Sequence, residues 1–310
     1  MKPVELRGRA LPNQGLLRRI GKAGPIYAML LPSLALVLLI AYYPALSAIY
    51  HSFFDWNYAG SSTFVGFDNF ARMFSDEIFG ASFLNLMQLT AFGVLVKSII
   101  VPIVIAEMLF AIRNSRARYY YRIILLVPLV VPGVVIWFIW KFIYEPNVGL
   151  LNSIFTVMGL DFLRFNWLGE PRTALFSIMV LGFPWVSGTA VLIYYAGLIG
   201  ISDSVLDAAR LDGVTGLQRI RRIDIPLIRG QIKFFLVVGI IDSMKGYEIN
   251  LVLTNGGPGY STMVPGLHMY QEAFAYQRMG YASAIGVALF ALILILTIVN
   301  ARFIKSDPGA

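Results

Sequence analysis

Residues Met279–Ala301 read MGYASAIGVALFALILILTIVNA, without a single Asp, Glu, Lys or Arg. A run of that length exceeds the ~20 apolar residues that cross a hydrocarbon core. The stretch from Ala23 up to Asp55 and the stretch Thr173–Ser202 are equally free of charge. Composition agrees: of 310 residues, 58% are hydrophobic and 14% charged, with a mean hydropathy of +0.72, against roughly 45–50% and 25% in an ordinary soluble domain. A soluble globular protein is excluded, and an all-α polytopic membrane protein is expected. Cysteine is absent, so there is no disulfide framework, thiol nucleophile or cysteine metal site. Two histidines, His51 and His268, leave little for a histidine cluster.

The pattern predicts six transmembrane helices, at about 25–50, 83–112, 121–144, 174–200, 230–253 and 281–303. The net charge of +8 would point to nucleic acid in a soluble protein, but here its distribution matters more. Lys2, Arg7, Arg9, Arg18, Arg19 and Lys22 precede the first helix, with no small-residue cleavage site of a signal peptide, and read as a retained cytoplasmic tail. Arg113, Arg116, Arg118 and Arg122 lie between helices two and three. Arg210, Arg219, Arg221, Arg222, Arg229 and Lys233 lie between four and five, and Arg302 and Lys305 close the chain. The opposite loops carry few basic residues and acids that include Asp55, Asp68, Asp76, Glu77 and Glu145. The positive-inside rule therefore places both termini in the cytoplasm, as an even helix count requires. The expected organisation is a tail 1–24, one membrane domain 25–304 and a tail 305–310. The connection 201–229 is amphipathic, with Val205, Leu206, Ala209, Val214, Leu217 and Ile220 at helix-like spacing. Such a helix outside the bilayer needs something to cover its apolar face.

Charges inside spans are costly and mark polar interiors. Helix five carries Asp242, Lys245 and Glu248, with Lys245 in i,i+3 reach of Glu248. Two readings stand: a structural ion-pair network, or a water-filled passage. Lys97 and Glu107 in helix two are weaker signals. Gly239, Ser243, Gly246, Tyr247 and Asn250 follow helical spacing and form one small, polar face, serving either close helix packing or a solute. Helix four offers a similar strip in Trp185, Ser187, Gly188 and Thr189 after Pro184, where a broken backbone is tolerable only against protein or a cavity.

Enzyme signatures fail. The nearest approach to a P-loop, from Gly15 to Ala23, has five residues between its glycines and no Ser or Thr after Lys22, so it cannot hold Mg-ATP. There is no H-E-x-x-H, no G-x-S-x-G and no metal spacing, and the catalytic and metal sets are empty.

The segment Asp207-Ala208-Ala209-Arg210-Leu211-Asp212-Gly213-Val214, followed by Ile225-Pro226-Leu227, resembles the E-A-A-x-x-x-G loop of permease subunits of binding-protein-dependent ABC importers. Asp207 stands where that family usually has Glu, and Val214 where Ala is commoner. Leu253-Thr254-Asn255-Gly256-Gly257-Pro258 is similar to the L-T-x-G-G-P of MalF/UgpA-type sugar permeases. The resemblance covers most of residues 26–304.

It implies a transporter of two permease subunits forming a heterodimer, two ATPase subunits and an extracytoplasmic solute-binding protein. It would sit as a multi-pass protein in a bacterial-type inner membrane among lipid, would move a sugar or oligosaccharide and would involve no nucleic acid. This chain would hold no cofactor, Mg-ATP being bound by the partner ATPase. Leu206, Asp207, Ala208, Ala209, Arg210, Asp212, Gly213 and Val214 would form the coupling helix seated in the ATPase. The substrate path would run along Trp185, Val186, Ser187, Ala190, Gly239, Asp242, Ser243, Lys245, Gly246, Tyr247, Glu248 and Asn250. The competing reading is an ion-gradient-driven transporter or channel using Asp242, Lys245 and Glu248.

Overall fold

Helices form wherever apolar runs must satisfy their own backbone, since lipid offers no hydrogen bonds. The computed structural model describes residues 16–303 except Tyr58 and Ser61. Its helices, in chain order, are α1 Leu16–Val37, α2 Tyr43–His51, α3 Asp68–Ser75, α4 Glu77–Phe92, α5 Val101–Ala111, α6 Ser115–Leu126 and α7 Gly133–Ile143. They continue with α8 Leu150–Val157, α9 Pro171–Val180, α10 Gly188–Ile199, α11 Asp203–Leu211, α12 Gly216–Arg219, α13 Ile225–Leu227, α14 Arg229–Lys245, α15 Glu248–Thr254, α16 Pro265–Phe274 and α17 Met279–Phe303. A short antiparallel hairpin pairs β1 Phe54–Trp56 with β2 Ser62–Phe64, in the register Phe54 to Phe64. The chain divides into two compact units, residues 1–50 and 51–310.

Among the described residues, three stretches are long and apolar enough to cross a membrane unbroken: Tyr27–His51, Glu77–Ala111 and Met279–Asn300. The other expected spans are interrupted. Helix three is α6, a 3-10 turn over Val127–Val130, and α7, bent by 88°. Helix four breaks over residues 181–187 between α9 and α10. Helix five breaks at Gly246 and Tyr247, between α14 and α15. The expected first helix starts earlier, at Leu16, and so takes in part of the predicted tail; residues 1–15 and 304–310 lie outside the described residues.

Proline explains where the continuous helices widen. Three π-helical stretches, Leu38–Tyr42, Gly93–Ile100 and Ile220–Asp224, each end two residues before a proline: Pro44, Pro102 and Pro226. Proline lacks an N–H donor and its ring pushes against the carbonyl four residues back, so the preceding turns loosen without the helix ending.

Inside the larger unit, α5 packs on α10 through Ile103, Ala106 and Leu109 against Ala190, Val191, Tyr194 and Leu198. Leu86, Met244, Tyr281, Ile285 and Leu289 join α4, α14 and α17. In lipid such contacts stabilise through close packing, which small residues permit. A Cβ on Gly93 would stand 2.9 Å from Ser243 Oγ, and one on Gly239 would stand 3.2 Å from Ser98 Oγ, so α14 presses backbone-close against residues 93–100.

Candidate functional site

The segment 203–214 is a helix that closes on itself. Val214 N–H donates to Ala209 O at 2.8 Å and Gly213 N–H to Arg210 O at 3.1 Å, the paired bonds of a Schellman motif. Gly213 has φ +72°, and a Cβ there would meet nothing within 4 Å; the glycine is required by conformation, not by space. Ala209 is buried, while Asp207 and Arg210 are exposed and pair with each other at 2.8 Å. Leu211 is 89% exposed and Leu217 84%. The helix therefore presents apolar and charged groups outward.

The loop is anchored by Arg219. Its Nε donates to Asp224 Oδ2 at 2.8 Å, a nitrogen of its guanidinium lies 3.5 Å from Glu107 of α5, and its plane lies over the Phe110 ring at 5.4 Å. Asp224 is fully buried and Glu107 nearly so. One guanidinium thus serves two buried carboxylates, one near the loop's end and one on the membrane helix. Sequence reading took Glu107 as a weak signal and missed Asp224; Glu107 lies far from Arg219 along the chain, and a pairing at that separation carries no local signature.

Within the spans, the break in helix four is built around Trp185, held at φ +59°, a conformation that costs a bulky residue of order 1–3 kcal/mol. Its ring meets Phe92 at 5.3 Å and Phe183 at 5.1 Å, and Nε1 donates to Val180 O at 3.1 Å. Lys97 Nζ donates to Leu181 O at 3.1 Å and stands 5.7 Å from the Phe92 ring centroid.

The residues expected along a path divide. Ala190 lies in the α5–α10 core, with Val186 packed against it, and Ser187 caps α10 through Ala190 N–H at 3.4 Å. Gly239 and Ser243 serve helix packing, as above. Asn250 is buried and donates to Thr262 O at 2.7 Å, tying α15 to the following loop. Tyr247 stacks on Tyr270 at 5.7 Å. Asp242, Lys245 and Glu248 are exposed. The expected Lys245–Glu248 pair is not formed, because the break at Gly246 destroys the i,i+3 geometry; Glu248 instead accepts from Tyr247 N–H at 3.1 Å.

At the other end of these helices, Asp76 caps α4 by accepting from Ile78 and Phe79 N–H, while its second oxygen meets His268 Nε2 at 3.0 Å and accepts from the Tyr281 hydroxyl at 2.7 Å. Burial works to raise the Asp76 pKa, but the bonds from Tyr281, His268, Phe79 and Ile78 outweigh it and hold the carboxyl below its ordinary value. Nearby Arg72 and Arg278 flank buried Glu272 at 3.9 and 3.3 Å. Among the described residues, no group of three or more His, Asp and Glu side chains could hold a metal.

A family model described as the binding-protein-dependent transport system inner membrane component matches residues 98–306. The diacetylchitobiose uptake system permease protein NgcF of Streptomyces coelicolor is 33% identical over 271 residues, covering 84% of this chain and 77% of its own. The trehalose/maltose transport system permease protein MalF of Thermococcus litoralis is 30% identical over 277 residues, covering 88% and 91%. In fold, the chain is similar to one in the crystal structure of a bacterial alginate ABC transporter in complex with an alginate pentasaccharide-bound periplasmic protein. The TM-score is 0.81 at 24% identity, over 93% of this chain and 96% of that one.

Proposed function

Because this chain belongs to the family of binding-protein-dependent transport system inner membrane components, we propose that it is the permease subunit of an importer of sugars or oligosaccharides, driven by ATP hydrolysed on a partner chain. The saccharide class is supported by the relatives, which include permeases named for diacetylchitobiose and for trehalose and maltose. The assembly would comprise this chain, a second permease, two ATPase subunits holding Mg-ATP, and an extracytoplasmic binding protein. Six spans with both termini in the cytoplasm follow from the basic loops, with each broken pair counted as one crossing.

The observation that carries the reading is α11: a helix capped by its own glycine turn, with exposed Asp207, Arg210 and Leu211. Closure of the ATPase pair would displace α11, the Arg219 anchor would pass that displacement to α5, and α5 moves with α10 because their side chains interlock. The chain supplies a path and a handle, not covalent chemistry. The relatives, permeases of binding-protein-dependent transport, support the importer and not the ion-gradient reading.

The test is uptake by the reconstituted complex. Asp207→Ala and Gly213→Val are expected to cut ATP-dependent uptake at least tenfold while ATP hydrolysis and binding-protein docking persist. Normal uptake in both variants, or uptake by the wild-type complex without ATP, overturns the docking role.

A further inference from the structure

Between α5, α12, α13 and the start of α14 lies a cavity of about 680 Å³, walled almost wholly by apolar residues, with Ile99, Ile103, Val104, Met108, Leu217 and Ile225 among them. Val104, Met108 and Leu217 are exposed, so the cavity is a groove open along one side. Two charged side chains line it, Glu107 and Arg219. No residue of α11 does.

The charges at this groove do not balance. Two buried carboxylates, Glu107 and Asp224, share the single guanidinium of Arg219. Its Nε donates to Asp224 at 2.8 Å, whereas Glu107 stands 3.5 Å away and outside hydrogen-bonding geometry. Both oxygens of Glu107, and Oδ1 of Asp224, are buried and accept no hydrogen bond. Carboxylates so placed lack donors, and the site is short of one positive charge. Arg219 in turn has five donors and keeps some of them to offer.

The dimensions indicate what would complete the site. From Glu107 back to Ile99 is about 12 Å along the helix axis, close to the roughly 15 Å hydrocarbon depth of one leaflet. Arg113, Arg116 and Arg118 follow α5 directly, so the charged pair stands at the end of the groove nearest the basic loops. The groove is thus apolar over the length of an acyl chain and charged, with both signs, at the level of a headgroup.

We infer that this groove is a site for an amine-bearing phospholipid of the cytoplasmic leaflet, whose ammonium donates to Glu107, whose phosphate accepts from Arg219 and whose acyl chain lies along Val104, Ile103 and Ile99. The headgroup follows from the imbalance. A primary ammonium brings both the positive charge and three N–H donors; a choline brings the charge without donors, and a glycerol headgroup brings donors without the charge. The phosphate meets the cation that already lines the groove. The site is independent of the cargo and goes beyond the importer reading. A plainer account gives Glu107 a proton and no lipid, and it predicts no preference among headgroups.

The experiment uses the assembled transporter, delipidated in detergent, and reads lipid binding by native mass spectrometry. The probes are phosphatidylethanolamine, phosphatidylcholine and phosphatidylglycerol with the same acyl chains. The wild type is expected to hold its first phosphatidylethanolamine about tenfold more tightly than either of the others. Glu107→Gln keeps the shape and loses the charge, and should cut that advantage to about threefold or less. Val104→Trp narrows the groove and should weaken all three lipids while leaving their ratio unchanged, a result that a merely structural role of Glu107 does not supply. Phosphoethanolamine, the headgroup without chains, should not displace the lipid at equal concentration. Equal binding of the three lipids, a preference untouched by Glu107→Gln, or displacement by phosphoethanolamine overturns the inference. Met108→Cys adds a thiol to a chain that has none. A crosslink from that thiol to the second permease in the assembled complex would assign the groove to a protein helix and likewise overturn it.

Discussion

Asp76 shows how one carboxylate can hold three elements. One oxygen closes the first turn of α4, and the other holds His268 of α16 and Tyr281 of α17. Its folded pKa lies below the unfolded value, so the stabilisation it brings is fully present above the unfolded pKa of about 3.9 and is lost as pH falls through the lower folded one. Thermal unfolding in detergent should therefore be insensitive to this group from neutrality to about pH 4 and weaken below it. Asp76→Ala should cost about 1–3 kcal/mol at neutral pH and flatten that acid limb. An unchanged melting curve would leave the cap without energetic weight. A Ser/Thr/Asp cap before an apolar run is a pattern readable from sequence, but the other two partners, about two hundred positions away along the chain, are not. Gly213 is the opposite case: a motif glycine whose purpose, a left-handed turn ending α11, is local and therefore readable.

At the scale of elements, prolines and charges act together. Pro102 and Pro226 loosen the turns before them, and the loosened turns carry Lys97 and Asp224. The Arg219 bridge then fastens the second of these to α5. Arg219→Ala leaves Glu107 and Asp224 buried without their cation, at a cost of about 3–5 kcal/mol. The expected result is a lower melting temperature of the complex together with ATP hydrolysis poorly matched to uptake. Arg219→Lys should recover part of the stability, because one ammonium cannot reproduce a forked guanidinium. A wild-type melting temperature in Arg219→Ala would show that the bridge bears no load. Of the expected spans, the third, fourth and fifth are interrupted in the structure. Hydropathy averages over a window and cannot see that Trp185 or Gly246 leaves the helix.

For the whole molecule, the exposed apolar surface is the main fact. Leu129, Val130 and Phe142 stand open on the bent third span, as do many others, a surface that in water would drive aggregation. Exposed Asp242, Lys245 and Glu248 favour a protein or water-lined neighbour, since a bare charge in hydrocarbon costs about 2.5–3.5 kcal/mol. Orientation is testable by fusions. Green fluorescent protein placed after residue 114, within 215–222 or at the C-terminus should fluoresce, and alkaline phosphatase placed near 60, 160 or 258 should be active. The reverse pattern would invert the topology.

Composition, charge-free runs and the spacing around Gly213 were enough to establish a membrane protein with a protruding helix, because hydropathy and turn conformation are properties of neighbouring residues. Which polar groups are spent on packing and which stay open was decided only in three dimensions. Helical spacing alone gives Gly239, Ser243 and Asn250 one face with room for a solute, yet Gly239 and Ser243 pack against the π-helical stretch Gly93–Ile100 and Asn250 bonds the loop after α15. The open groups lie instead on α4 and α9, where Asn85, Gln88 and Arg172 come to line one cavity though far apart in the chain. Convergence of that kind depends on long-range packing, and no local pattern encodes it.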